Sequence, residues 1–100
     1  MKYFLHPDAE QDIADAALYY QQQAGSPLSQ ALFVEFERSV ERLLQHPKIG
    51  VKWRRGTRRF VMAHFPYAQV YLVANDELRI LAFAHQSRRP SYWRGREWAK

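Results

Sequence analysis

Residues 67–85 read YAQVYLVANDELRILAFAH, two apolar segments joined by a turn dipeptide. The segments from Tyr67 to Ala74 and from Glu77 to His85 are short and largely apolar, as is typical of β-strands. Asn75-Asp76 between them favours a tight hairpin turn. Both faces of each segment are rather apolar, which predicts two neighbouring antiparallel strands at the centre of a sheet.

Alternation also predicts which side chains share a face of this sheet. The odd-numbered residues from Tyr67 to Val73 are expected on one face of the first strand. In the second strand, strict alternation places Leu78 and Ile80 on one face and Leu81 and Phe83 on the other.

Two amphipathic helices are predicted before the sheet. Apolar residues recur at helical spacing from Ala9 to Tyr20 and again from Leu28 to Leu44. Asp8 is the predicted N-cap of the first helix, Ser26-Pro27 begins the second, and His46-Pro47 ends it. Because the link between them is about two or three residues, the helices are expected to form an antiparallel hairpin. The sheet needs a cover, so we expect their apolar stripes to pack on it.

Three shorter strands complete the predicted sheet. They are Lys2 to Leu5, a poorly defined strand around Trp53, and Arg58 to His64. The predicted fold class is therefore α+β, with an N-terminal strand and an antiparallel α-helical hairpin packed on a small, mainly antiparallel, twisted β-sheet. Residues 1–100 show no repeat and no second-domain boundary, so a single domain is expected.

Composition excludes several functional classes. The chain has no cysteine, and its four histidines are scattered without metal-ligand spacing, so no metal or other cofactor is expected. The acidic residues of the first helix, Glu10, Asp12 and Asp15, are expected to face solvent, and the sheet half has no paired carboxylates for glycosidase or metal-dependent nuclease chemistry. No run is long enough for a signal peptide or a membrane span, which favours a cytoplasmic protein without membrane contact.

Charge divides the chain into two halves. Residues 1–47 hold seven acidic and three basic residues, whereas residues 48–100 hold twelve basic and three acidic ones. The basic half ends in a tail rich in arginine and aromatic residues, which suits phosphates, stacked bases or an acidic peptide. The residues predicted to bind the target are Arg58, Arg59, Arg79, Arg88, Arg89, Tyr92, Trp93, Arg94 and Arg96.

His85 is the histidine best placed for acid–base chemistry, because it ends a central strand beside the basic tail. The alternative is a strand-end histidine that only makes hydrogen bonds, and the sequence leaves both open.

The order of these elements resembles the RelE/ParE superfamily of toxins from type II toxin–antitoxin modules. The matching segments run through nearly the whole chain and are Pro7-x-Ala9, Leu44-x-His46-Pro47-x-x-Gly50, Arg59-Phe60, Phe65-Pro66-Tyr67-Ala68-Gln69-Val70-Tyr71-x-Val73, Leu78-x-Ile80-Leu81-Ala82-x-Ala84-His85 and Arg88-Arg89-Pro90. The resemblance implies a small cytoplasmic toxin of a plasmid-stabilisation type of module. It also implies a cognate antitoxin that packs on the toxin. The expected assembly is a toxin homodimer or a toxin–antitoxin hetero-oligomer.

The superfamily divides into two branches by target. RelE-like members resemble ribosome-dependent, metal-independent messenger-RNA endonucleases, and that reading would use Arg59, His85, Arg88 and Tyr92 as catalytic residues. Two cation positions of that branch fall on Val61 and Ala68, so part of the charge stabilisation is missing.

The Phe-Pro-Tyr strand and the basic tail are more similar to the ParE branch, whose members resemble non-enzymatic inhibitors of DNA gyrase. We therefore expect a ParE-like growth inhibitor that poisons gyrase. The alternatives are a ribonuclease acting on ribosome-bound messenger RNA, and a non-toxic relative that only binds partners.

Overall fold

The computed structural model describes residues 1–87 and Arg96, and Arg88, Arg89, Tyr92, Trp93 and Arg94 of the predicted target-binding set lie outside the described residues. The elements follow in the order β1 (Lys2–Leu5), α1 (Pro7–Ala24), α2 (Ser26–Gln45), β2 (Val51–Lys52), β3 (Arg58–Val61), β4 (Tyr67–Ala74) and β5 (Glu77–His85). A single 3-10 turn at Arg54–Gly56 joins β2 to β3. The bounds of β1, β4 and β5 are those that the sequence predicts.

The five strands form one sheet in the order β1-β5-β4-β3-β2. β5 is antiparallel to β4 and parallel to β1, and the β2–β3 and β3–β4 pairs are antiparallel. β4 and β5 are therefore central, as expected, and the turn between them has positive φ at both Asn75 and Asp76, which is the signature of a type I′ hairpin. The predicted α+β fold is confirmed.

The main core fills the space between the helical hairpin and the sheet. Its fully buried members include Leu32 and Leu43 from α2, Tyr71 from β4, and Leu78 and Ile80 from β5. The predicted packing of the helices on the sheet is therefore found. Among the described helices, none has a stretch long and apolar enough to cross a bilayer.

A bulge in β5 changes the predicted faces of the sheet. Val70 pairs with Ala82 and Tyr71 pairs with Ile80, so Leu81 is an extra residue without a partner on β4. An extra residue shifts the alternation by one. Phe83 consequently joins Ile80 in the core under the helices, and the prediction that the two lie on opposite faces was wrong.

The face of the sheet away from the helices is called here the outer face. It carries a second cluster of Val70, Leu81 and Ala82, against which Trp53 and Leu72 pack. Tyr71 belongs to the main core and Phe60 packs against it, so alternation assigns Arg59 and Val61 to the same outer face.

The helix starts differ from the predictions by one or two residues. His6 is the N-cap of α1, and its Nδ1 accepts the backbone N–H of Asp8 at 3.0 Å. Pro7, with its fixed φ and missing N–H, is thus the first helical residue. Gly25, at φ 85°, lies between the helices as the C-cap of α1 and the N-cap of α2, where Ser26 was expected. The predicted strand to His64 ends at Val61, and Trp53 follows β2 rather than lying within it.

Candidate target-binding surface

The β2–β3 hairpin concentrates the described basic side chains. Lys52, Arg54, Arg55, Arg58 and Arg59 lie within eight residues of one another, and the sequence has no acidic residue between Glu41 and Asp76. The turn is held by the backbone N–H groups of Trp53 and Thr57, which donate to Thr57 O at 2.8 Å and Arg54 O at 3.2 Å. Arg55, at the tip of the hairpin, has a left-handed backbone conformation with φ 59°, and its side chain is exposed.

Two of these arginines pack on an aromatic ring. The guanidinium carbons of Arg54 and Arg59 lie 5.7 Å and 5.3 Å from the centre of the Trp53 ring. Cation–π contacts of this kind orient a guanidinium without neutralising it. At the β2–β3 edge of the outer face, Arg54 and Arg59 therefore form an oriented pair of cations that can bind phosphates or carboxylates.

Arg58 points to the other side of the same strand. Its Nη1 donates to Gly50 O at 2.8 Å and to Lys48 O at 3.3 Å, which ties the loop after α2 to β3. The hairpin thus divides its cations between two faces. The sequence singled out Arg58 and Arg59, but it missed Trp53, Arg54 and Arg55, for which the run of basic residues around a tryptophan was the available signal.

Arg79 and Arg96, also predicted to bind the target, make contacts within the protein. Arg79 Nε donates to Glu77 at 2.9 Å, and its side chain is largely buried. Arg96 donates through Nη1 to Asp12 Oδ2 and to Leu81 O, both at 2.8 Å. A third bond joins its Nη2 to Asp12 Oδ1 at 3.2 Å. These bonds hold both guanidinium groups beside the sheet.

Asp12 does not face solvent as the helical wheel predicts. Its side chain is 14 % exposed, and Oδ2 accepts the backbone N–H of Phe83 at 3.1 Å in addition to Arg96. β1 pairs with β5 only as far as Ile80. Asp12 and Arg96 therefore supply partners to backbone groups of Leu81 and Phe83 that lie beyond the end of β1.

His85 is half-buried at the end of β5. Its Nδ1 accepts the backbone N–H of Ser87 at 3.0 Å, so the neutral ring carries its proton on Nε2. The ring meets that of Tyr67 edge-on, with 5.1 Å between centroids. A cavity of about 360 Å³ lies beside it, with Asp15 and Tyr19 of α1 in its wall.

Two positions where the RelE-like pattern has cations lie side by side in the sheet. Val61 of β3 pairs with Ala68 of β4, and Ala68 pairs with Ala84 of β5. These three neighbours give the outer face a row of small or apolar side chains. Among the described residues, no group of three or more histidine, cysteine, aspartate or glutamate side chains is arranged to hold a metal ion.

Comparison with known families places the chain. A family model described as the ParE toxin of the type II toxin–antitoxin system parDE matches residues 3–90. The chain belongs to this ParE toxin family. The match confirms the predicted superfamily and branch, and it covers α1 to β5 and all of β1 except Lys2.

The fold of this ParE-family chain is also found in a solved structure of the chromosomal ParDE toxin–antitoxin system from P. aeruginosa. The two chains superpose with a TM-score of 0.76 at 18% identity, over 85% of this chain and 95% of the other. At that identity the likeness shows the shared fold. A search of curated proteins gave no match.

Proposed function

We propose that this ParE-family protein is a cytoplasmic toxin that inhibits growth by poisoning DNA gyrase, and that a cognate antitoxin neutralises it. The observation that supports a binding role over messenger-RNA cleavage is the row Val61–Ala68–Ala84. Cleavage of a phosphodiester needs cations that stabilise the charge developing in the transition state. In the RelE-like pattern two such cations would project from this row, and here aliphatic side chains occupy it.

The basic side chains lie instead at the hairpin, where they suit binding. Arg54 and Arg59 are held on Trp53 near the outer face, and Arg55 is exposed at the tip. Oriented guanidinium groups beside an aromatic ring favour a phosphate backbone or an acidic protein surface. Gyrase bound to DNA offers both kinds of surface, and Arg88, Arg89, Tyr92, Trp93 and Arg94 of the tail remain part of the proposed interface.

Induced expression, with two measurements made on the same cells, tests the proposed target. We expect growth arrest with double-strand breaks that disappear in cells carrying a toxin-resistant gyrase, while messenger RNA stays intact. Purified toxin should trap gyrase on cleaved DNA, and co-expression of the cognate antitoxin should abolish the effect. Codon-phased cleavage of messenger RNA on ribosomes would favour the ribonuclease that uses Arg59, His85, Arg88 and Tyr92. A folded protein with no effect on growth would favour the non-toxic binding module.

Reversing the charge of the hairpin should separate binding from folding. The double variant Arg54→Glu/Arg59→Glu is expected to lower the yield of trapped gyrase–DNA complex about tenfold or more, because two oriented cations become repulsive. The matched control is Lys2→Glu/Arg38→Glu, which makes the same charge change at exposed positions on β1 and α2. If both double variants fold and lose activity equally, general charge and not the hairpin carries the binding.

A further inference from the structure

A broad groove lies between the C-terminal end of α2, the loop that follows it and the end of β4, beside Arg58 of β3. Its volume is about 1020 Å³, and its wall includes Arg42, Lys48, Ile49, Arg58, Leu72 and Val73. The groove is separate from the outer-face pair of Arg54 and Arg59, and the proposed action on gyrase does not use it.

The groove is built on a rigid support. The hydroxyl of Tyr71, a fully buried residue, donates to Pro47 O at 2.7 Å and accepts the N–H of Gly50 at 3.1 Å. Burial raises the pKa of Tyr71 above its ordinary value, although the bond from Gly50 and the charge of Arg58 act in the opposite direction. The hydroxyl therefore stays protonated and holds the loop of residues 47–50 against the sheet, so a ligand meets a preformed wall.

The wall combines exposed apolar surface with positive charge. Ile49 and Val73 are 39% and 46% exposed, large values for branched aliphatic side chains that line the same concavity. Arg42 lies with its guanidinium carbon 5.7 Å from the centre of the Phe60 ring, and Lys48 is exposed. None of the described residues that line the groove is acidic. An apolar floor with cations at its rim is complementary to a segment that carries both leucine-type and carboxylate side chains.

We propose that this groove is a docking site for an acidic peptide segment of a partner protein, anchored by at least one large apolar side chain. The apolar anchor covers Ile49 and Val73, and carboxylates of the segment pair with Arg42 and Lys48. Arg58 already donates to the carbonyls of Lys48 and Gly50, so it attracts the acidic peptide through its positive charge more than through new hydrogen bonds. A nucleic-acid strand fits less well, because it brings phosphates without an aliphatic anchor for the exposed floor.

The test uses the full chain and a fluorescein-labelled peptide rich in glutamate and leucine, followed by fluorescence anisotropy. Two companion peptides carry lysine in place of glutamate, or serine in place of leucine. We expect the first peptide to bind and both companions to lose binding. Lys48→Glu and Val73→Asp should each weaken the first peptide about tenfold. Lys2→Glu, with the same charge change on the far edge strand, should leave it unchanged.

Chemical-shift mapping of the unmodified protein gives a readout that does not depend on the folding of variants. Peptide binding should shift the amide signals of residues 46, 48–50 and 72–73 more than those of β1. Any of several results would overturn the proposal. One is that the lysine peptide binds as well as the acidic peptide, and another is that both groove variants bind the acidic peptide undiminished. A third is that a short oligonucleotide or dodecanoate displaces the labelled peptide but the unlabelled acidic peptide does not. The last is that a second copy of this chain occupies the groove.

Discussion

Replacing Asp12 with alanine is expected to lower the free energy of unfolding by about 3 kcal/mol, measured by urea denaturation. The carboxylate accepts the N–H of Phe83 and both terminal nitrogens of Arg96. Removing it takes the acceptor away from the Phe83 N–H. The largely buried guanidinium of Arg96 then keeps the bond to Leu81 O and a longer ion pair with Asp8, 3.7 Å from its Nε. A lost charge-assisted hydrogen bond and a broken, mostly desolvated ion pair both add to the cost.

The neighbouring acid provides the control for this prediction. Asp15 lies three residues further along α1 and is exposed, where it accepts Gln11 Nε2 at 2.8 Å. Asp15→Ala should change the free energy of unfolding by less than about 0.5 kcal/mol. Arg96→Ala should cost less than Asp12→Ala, because the bond from Phe83 N–H to Asp12 survives in that variant. Equal stabilities of Asp12→Ala and Asp15→Ala would show that the wheel-based expectation of a solvent-facing Asp12 was right.

The change Gly50→Ala is expected to be similarly damaging, with a loss of about 3 kcal/mol in the free energy of unfolding. A methyl group at this position would lie 2.6 Å from Tyr71 Oη, 2.8 Å from Tyr71 Cε1 and 3.1 Å from Arg59 O. The ring of Tyr71 is fully buried and cannot move aside without breaking its bonds to Pro47 and Gly50. Both the loop and the groove that it lines should therefore be distorted.

Two further variants separate crowding from backbone strain. Gly56 has φ 74° and open space around its Cα, so Gly56→Ala should cost only the roughly 1–2 kcal/mol of a left-handed alanine. In a Tyr71→Phe background the nearest clashing atom is gone, and the added cost of Gly50→Ala should shrink without vanishing, because Cε1 remains. If Gly50→Ala lowers the free energy of unfolding by the same amount in that background, the Tyr71 hydroxyl is not what clashes with the added methyl group.

The local sequence predicted the central elements closely because their information is local. The strand segments 67–74 and 77–85 are short, largely apolar runs, and the Asn75-Asp76 turn tolerates the positive φ that a two-residue hairpin needs. The apolar stripe of α2 likewise reports the face that packs on the sheet. The joint order of these elements was enough to identify the family that the comparison confirms.

The bulge at Leu81 could not be predicted in the same way. No glycine or other special residue marks it in the β5 sequence, and strict alternation gives the opposite face for Phe83. Packing in the core between the helices and the sheet determines the face of Phe83. The shift buries Phe83 against Phe36 and against Tyr67, with the Phe83 and Tyr67 ring centroids 4.7 Å apart. Burying a large aromatic side chain outweighs the loss of one regular ladder position.

The sequence by itself determined the elements, their order and the basic character of the second half, because periodicity, turn residues and charge are properties of neighbouring residues. The tertiary structure decided which charged side chains make contacts within the protein and which are available to a partner. It brings Asp12 to the edge of β5 to meet Arg96, turns Arg58 inward and leaves Arg54 and Arg59 on Trp53. These partners are far apart along the chain or on opposite faces of one strand, so only the packing of α1 and the register of the sheet bring them together or separate them.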